Sequence, residues 1–267
     1  YHNRNDCGQI MNKEFKPFPK LNFKLSTDIG CKLKPFNYVC TYTRDSNYLN
    51  SLGFQTDFSY HDYRNDDYLK LMPTVEYLNS KNLSVVRMGN VKRNIDIKYF
   101  SQTHIDFRDL SDDGCDDIIL FSNCLFYIGD TSGIALAANV FGRPVVRYNW
   151  IPIFNSVPHT SLVIPMLIKS VDSGEYLPFR KVWELKEKGL HLSKGDAYEK
   201  FGLQCIRNST TDILDVSLEM LRRVQDNDFE PCHPLQKDYE KMMLSIGWHN
   251  PGIIGYSFME KFGNLFL

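Results

Sequence analysis

The chain has 267 residues, 43% hydrophobic and 24% charged, which is enough for one large or two modest globular domains, each with its own core. Its 31 Lys and Arg against 32 Asp and Glu leave a formal net charge of −1. That excludes the broad basic field of a nucleic-acid binder, so any anionic ligand has to be held by a few placed groups.

In chain order, 1–36 is polar and basic without a sustained period and reads as an N-terminal extension or the remnant of an upstream lobe. From Asn37 the texture changes. NYVCTYT predicts a strand over Tyr38–Tyr42, followed by a polar loop to Asn65. Tyr68, Leu71, Met72, Val75 and Leu78 then recur at helical spacing, with Pro73 marking either a kink or a short turn before a helix that starts on proline. LSVVRMG predicts a second buried strand and HIDF a third, and SDDGCDDIILF a helix start with its acids at the positive end of the dipole. LFYIGDTSGIALAANVFGRPVVRYN reads as strand, turn, helix, turn and strand. An apolar run over 162–168, a strand at LQCI, a capped helix in NSTTDILDVSLEMLRRVQ and a short helix in SFMEKFGNLFL complete the series. In the capped helix, Leu214, Leu218, Leu221 and Val224 are expected on one face.

Alternation of strands and helices predicts an α/β fold with a doubly wound, mainly parallel sheet over 37–225 and a helical C-terminal tail over 226–267. The longest apolar run, SLVIPMLIKS, is too short to span a bilayer. Seven cysteines without paired CxxC spacing read as reduced, mostly buried thiols of a cytoplasmic protein. No Walker loop or GxGxxG fingerprint is present, so neither ATP nor NAD is expected.

The small polar residues between strand and helix at 129–133 are the first candidate site. In a parallel sheet, ligands sit beyond the carboxyl ends of the strands. Gly129 allows a sharp turn, Thr131 and Ser132 can cap the following helix, and Gly133 leaves room for a ligand. Amides at such a helix start can receive a phosphate, or the hydroxyls can simply cap a core helix. Asp130 opposes an anion and suits a backbone amide or a sugar hydroxyl better than a phosphate. Arg44 and Asp45 follow the first strand at the same sheet edge, as a phosphate fork with its orienting acid or as a surface ion pair. Arg87 closes a buried run before Gly89, and its guanidinium needs either a carboxylate, with Asp106 the nearest candidate, or a ligand anion. The acids Asp112, Asp113, Asp116 and Asp117 straddle a helix start and read as caps rather than as a metal-binding pair.

Taken together, YTRDSNYLN, RNDDYLKLMPTVEYLNSKNLSVVRMGN, HIDF and DDIILFSNCLFYIGDTSGIALAANVFGRPVVRYN resemble a family of bacterial glycosyltransferases of GT-B type over 38–152, with a weaker echo in SFMEKFGNLFL. The resemblance implies a Rossmann-like nucleotide-sugar-binding lobe and metal-independent transfer from a nucleotide-activated sugar to a glycan or glycoconjugate acceptor. It further implies no cofactor, a role in surface polysaccharide biosynthesis, and a location compatible with peripheral membrane association. Carried over by position, Thr131, Ser132 and Gly133 would cradle the donor phosphates, and Arg44 and Arg87 would neutralise the leaving diphosphate. Gly89, Asp130 and Asn149 complete the expected substrate-binding set, with Asp45 and Asp106 as candidate bases. A nucleotide-sugar 2-epimerase of similar fold, or a non-catalytic nucleotide-sugar-binding lobe, fits the same residues.

Overall fold

A computed structural model describes residues 17–19, 21–26, 33–46, 57–89, 95–111, 114–154, 157–249 and 251–267. Its centre is a seven-stranded, wholly parallel sheet built from β1 (Tyr38–Tyr42), β2 (Ser84–Arg87), β3 (His104–Asp106), β4 (Tyr127–Gly129), β5 (Val145–Trp150), β6 (Ser161–Pro165) and β9 (Ile253–Ile254). The spatial order is β3-β2-β1-β4-β5-β6-β9, a Rossmann-like doubly wound arrangement. The strand expected at Tyr38–Tyr42 forms with those bounds and pairs with β2 on one side and β4 on the other.

Side chains alternate between two cores, as period-2 strands buried on both faces require. Val39, Val85, Ile128 and Val146 face helices α1 (Met72–Ser80) and α6 (Thr210–Asp226). Tyr38, Cys40, Val86, Tyr127 and Val145 face α2 (Gly114–Asn123) and α3 (Ala135–Val140). Full burial of each such aliphatic or aromatic side chain contributes roughly 1.5–3 kcal/mol relative to exposure.

Pro73 resolves as the second of the two expected arrangements: a 3-10 turn at Tyr68–Leu71, then α1 with the proline in its first turn, where no amide is required. Helix α6 starts on a reciprocal capping box between Ser209 and Asp212. Its buried face is Ile213, Val216, Met220 and Leu221, about one residue round from the expected stripe, leaving Leu214 and Leu218 half-buried. The apolar run at 162–168 divides after Pro165 into β6 and β7 (Leu167–Ser170), and β7 pairs antiparallel with β8 (Leu203–Ile206) in a separate two-stranded sheet. Helices α4 (Phe179–Glu187) and α5 (Gly195–Lys200) lie between those two strands in sequence.

The stretch 226–267 holds α7 (Gln236–Ser245) and α8 (Tyr256–Phe262), and it also supplies β9. That strand extends the sheet through Leu162↔Ile253 and Val163↔Ile254, so the segment is more than a helical tail. Two residues are too short a strand to carry a readable period.

The described part of the N-terminal stretch lies along α2 and α3. Phe18 N donates to Val140 O at 2.9 Å, Asn123 Nδ2 to Leu21 O at 3.1 Å, and Ser26 N to Asp116 Oδ1 at 2.9 Å. Phe23 and Leu25 pack on the second core. The expectation of mostly buried thiols holds only in part: of the five described cysteines, all free, only Cys40 and Cys124 are buried. Among the described residues, no helix is long and apolar enough to cross a membrane.

Candidate functional site

From β1 the chain builds outward to β2 and β3, then returns to place β4 on the other side of β1. The connections leaving the carboxyl ends of β1 and β4 therefore run to opposite faces and leave a crevice, the general ligand position of open α/β sheets. A cavity of about 460 Å³ opens at this edge. Its walls are residues 42–45 after β1, 87–89 ending β2, Arg108 after β3, 132–134 after β4, Gly114, Asp117, Ile118 and Phe121 of α2, and Ala137 of α3.

The ends of β1, β2 and β3 each deliver an arginine. Arg44 is fixed through its backbone, whose N–H donates to Asp130 Oδ2 at 2.5 Å across the crevice. Asp130 is fully buried and serves as the backbone-orienting acid its charge suggests. Arg87, 3% exposed, donates through Nη1 to Asp106 Oδ2 at 2.7 Å and stacks over the Tyr68 ring at 4.8 Å. Arg108 grips the same carboxylate as a fork, Nε to Oδ1 at 2.9 Å and Nη2 to Oδ2 at 2.7 Å, while its buried Nη1 has no hydrogen-bond partner. Two guanidinium groups thus share one carboxylate at the cavity wall. Asp106 itself stands behind them and does not line the cavity, so its oxygens are occupied by arginines rather than offered to a substrate.

Beneath Arg87 runs a buried polar chain. Thr41 Oγ1 and Tyr68 Oη are 3.0 Å apart, Tyr68 Oη and His104 Nε2 2.9 Å, and His104 Nδ1 lies 2.6 Å from Tyr99 O. Burial pushes the Tyr68 phenol up and the His104 imidazole down, so both stay neutral and His104 donates through Nδ1. The chain supports the Arg87 stack without placing a further charge under it.

Gly89 has φ +126, and a Cβ there would stand 3.0 Å from Tyr42 Cε2 and 3.4 Å from Arg108 Cδ. Only glycine lets the β2 end pass between those two wall residues. At Gly133 a Cβ would meet nothing within 4 Å, so the backbone there is open toward the cavity.

The turn after β4 differs from the expected capped helix. Helix α3 starts at Ala135 with Ile134 as N-cap and no side-chain cap, because 131–134 form an extra turn. Thr131 points away from the cavity: its Oγ1 donates to Asn149 O at 2.9 Å and accepts from Ile151 N at 3.0 Å. Asn149 is likewise structural, 1% exposed at φ +47, its Nδ2 donating to Asp66 Oδ2 at 2.6 Å and its Oδ1 accepting from Asn208 N at 2.7 Å. The structure therefore gathers Arg44, Asp45, Arg87, Gly89, Ser132 and Gly133 on one cavity, and keeps Thr131, Asn149, Asp106 and Asp130 off its surface. The anion-binding case rests on the arginines, since α3 has only six residues.

Two wall residues escape the sequence reading. Arg108 obeys the same rule as Arg44 and Arg87, an arginine just beyond a strand end, but β3 is three residues long and hides its end. The sequence pattern explains Asp117, like Asp116, as a helix cap. Asp116 does join the α2 first turn to Ser26 and Ser111, whereas Asp117 faces the cavity. Burial, and then the negative charge of Asp116, raise the Asp117 carboxyl to about 6. Asp112 and Asp113 lie outside the described residues. Among the described residues, no three His, Cys, Asp or Glu side chains are grouped to hold a metal ion.

No protein-family model, no curated protein and no solved structure matches the chain. What it does is therefore argued from its own fold and cavity.

Proposed function

We propose that the chain is a glycosyltransferase, moving a sugar from a nucleotide-activated donor to a hydroxyl of a glycan or glycoconjugate, with the donor diphosphate in the 460 Å³ cavity. The observation that carries this reading is the convergence of Arg44, Arg87 and Arg108 with Ser132 and Gly133 where the strand order reverses. Cleaving the anomeric bond places negative charge on the departing diphosphate. Preorganised guanidinium groups in a partly enclosed site stabilise charge at the place where it develops, the task a divalent metal performs in other transferases. Asp130 holds the Arg44 backbone and Asp106 holds Arg87 and Arg108, so these donors are in position before a ligand arrives. Tyr42, Met88 and Phe121 give the same cavity apolar surface for a base or sugar ring.

A thermal-shift series against UDP-, GDP-, CMP- and dTDP-sugars tests the proposal, since a ligand at 100 times its Kd adds about 2.7 kcal/mol to apparent stability. One nucleotide class is expected to raise the melting temperature. Arg87→Ala should then weaken nucleoside-diphosphate binding at least about tenfold, roughly 1.4 kcal/mol, and leave the bare nucleoside unaffected. No shift with any nucleotide sugar, or equal losses for diphosphate and nucleoside, overturns the reading. Conversion of the donor without acceptor would instead assign a 2-epimerase, and binding without turnover a non-catalytic lobe.

A further inference from the structure

The cavity wall carries one carboxyl group that the protein does not itself employ. Four acids lie at or just behind this cavity. Asp106 is gripped by two guanidinium groups, Asp130 accepts from the Arg44 amide, and Asp45 is engaged within the protein. Asp117 has neither a hydrogen-bond nor an ion-pair partner among the described residues, yet it is half-buried on the cavity wall.

Its position follows from the packing of α2 on the second core, where Leu120 and Phe121 meet Tyr38 and Cys40 of β1 and Val86 of β2. Gly114, Ile118 and Phe121 of the same helix also line the cavity, so Asp117 stands on the face of α2 that forms the half-open rim of the site holding the arginines. The charged or titratable neighbours are few: Asp116 on its own helix, the buried Cys40 thiol on β1, and Tyr42, Arg44, Asp45, Arg87 and Arg108 on the other walls of the cavity. None of those arginines is bonded to it. A carboxylate without internal bonds keeps its lone pairs for a substrate proton, unlike Asp106.

Resting on the glycosyltransferase reading above, we infer that Asp117 is the general base of the transfer, a catalytic residue that takes the proton of the attacking hydroxyl. The step balances as a single displacement. The acceptor O–H gives its proton to the Asp117 carboxylate while its oxygen bonds to the anomeric carbon. The bond from that carbon to the donor phosphate oxygen breaks, and its electron pair leaves on the nucleoside diphosphate, opposite Arg44 and Arg87. A carboxyl raised to about 6 is a stronger base than an ordinary aspartate and is still ionised at neutral pH.

The test uses the full chain with UDP-, GDP- and dTDP-sugars, and water as the acceptor. Donor affinity is read by calorimetry and nucleoside-diphosphate release is followed from pH 5 to 8. Asp117→Asn, close in volume and replacing a side chain that makes no internal bonds, should keep donor affinity within about twofold and slow release about 100-fold or more, the usual contribution of a positioned base. The acidic limb of the parent profile near pH 6 should vanish in that variant, and Asp117→Glu should recover part of the rate. Release within about threefold of the parent, with donor affinity intact, overturns the base assignment and leaves the transferase reading standing. A parent chain that binds no nucleotide sugar overturns both.

Discussion

Replacing Asp106 by Asn tests whether the arginine pair is held as a unit. The three side chains are 4%, 10% and 3% exposed for Arg87, Asp106 and Arg108. Three guanidinium N–H groups donate to the two carboxylate oxygens at 2.7–2.9 Å. Asparagine keeps one acceptor and no charge, so even with its oxygen at the Oδ2 position, which accepts two of the three contacts, one contact is lost, and both cations are left without this counter-charge. Breaking a buried ion pair from one side costs about 3–5 kcal/mol. At roughly 2–4 °C per kcal/mol for a domain of this size, Asp106→Asn should melt about 6–20 °C below the parent. Circular dichroism melts at pH 7.5 measure the drop. Inorganic pyrophosphate should then stabilise the variant more than the parent, because the two guanidinium groups seek a replacement anion. A melting point within 2 °C of the parent, with no added response to pyrophosphate, refutes the shared-carboxylate account of the cavity wall.

Three further outcomes are expected. Asp117 carries a raised carboxyl, so the folded state binds its proton more readily than the unfolded chain. Its ionisation therefore lowers stability as pH rises from about 4 to about 6, and the loss persists above that range. Asp117→Asn should accordingly melt above the parent at pH 7.5, with the gap closing toward pH 4; a gap independent of pH contradicts this. Gly129→Ala would put a Cβ against the Tyr127 hydroxyl and 2.6–2.7 Å from its ring carbons Cζ and Cε1, so the substitution should destabilise, and Tyr127→Leu, which removes those ring atoms, should relieve more of the loss in the double variant than Tyr127→Phe. Additive losses in urea unfolding would show that the clash lies elsewhere. Ser209→Ala removes the α6 capping box and should cost about 1 kcal/mol by chemical denaturation, whereas Ser209→Asp should restore most of it.

The sheet was legible because its strands are short apolar runs closed by polar residues, and the end of such a run marks where a side chain must leave the core. That is why Arg44, Arg87, Ser132 and Gly133 meet on one cavity as the sequence suggests. The direction of a residue within a turn is not local information. Thr131 follows β4 and bonds the Asn149 carbonyl within β5, 18 residues later, and the left-handed backbone at Asn149 accompanies a shift in register between Arg147 and Trp150. Asp117 was obscured for a different reason. An acid in a helix's first turn is sufficiently explained by the dipole, and only the lie of α2 over the neighbouring strands gives it a second role. β9 needed a partner strand about 90 residues earlier in the sequence, which no window of periodicity contains.

The contacts of residues 17–26 bear on the gauge of the cavity. One strap of chain is stitched to the end of α3 at Val140, to the end of α2 at Asn123 and to the start of α2 at Asp116, and those two helices form opposing jambs of the opening. The described residues of this segment thus tie α2 and α3 together from outside the cavity, none of them lining it. Removing those hydrogen bonds would leave every residue of the lining unchanged while freeing the two helices that carry part of it.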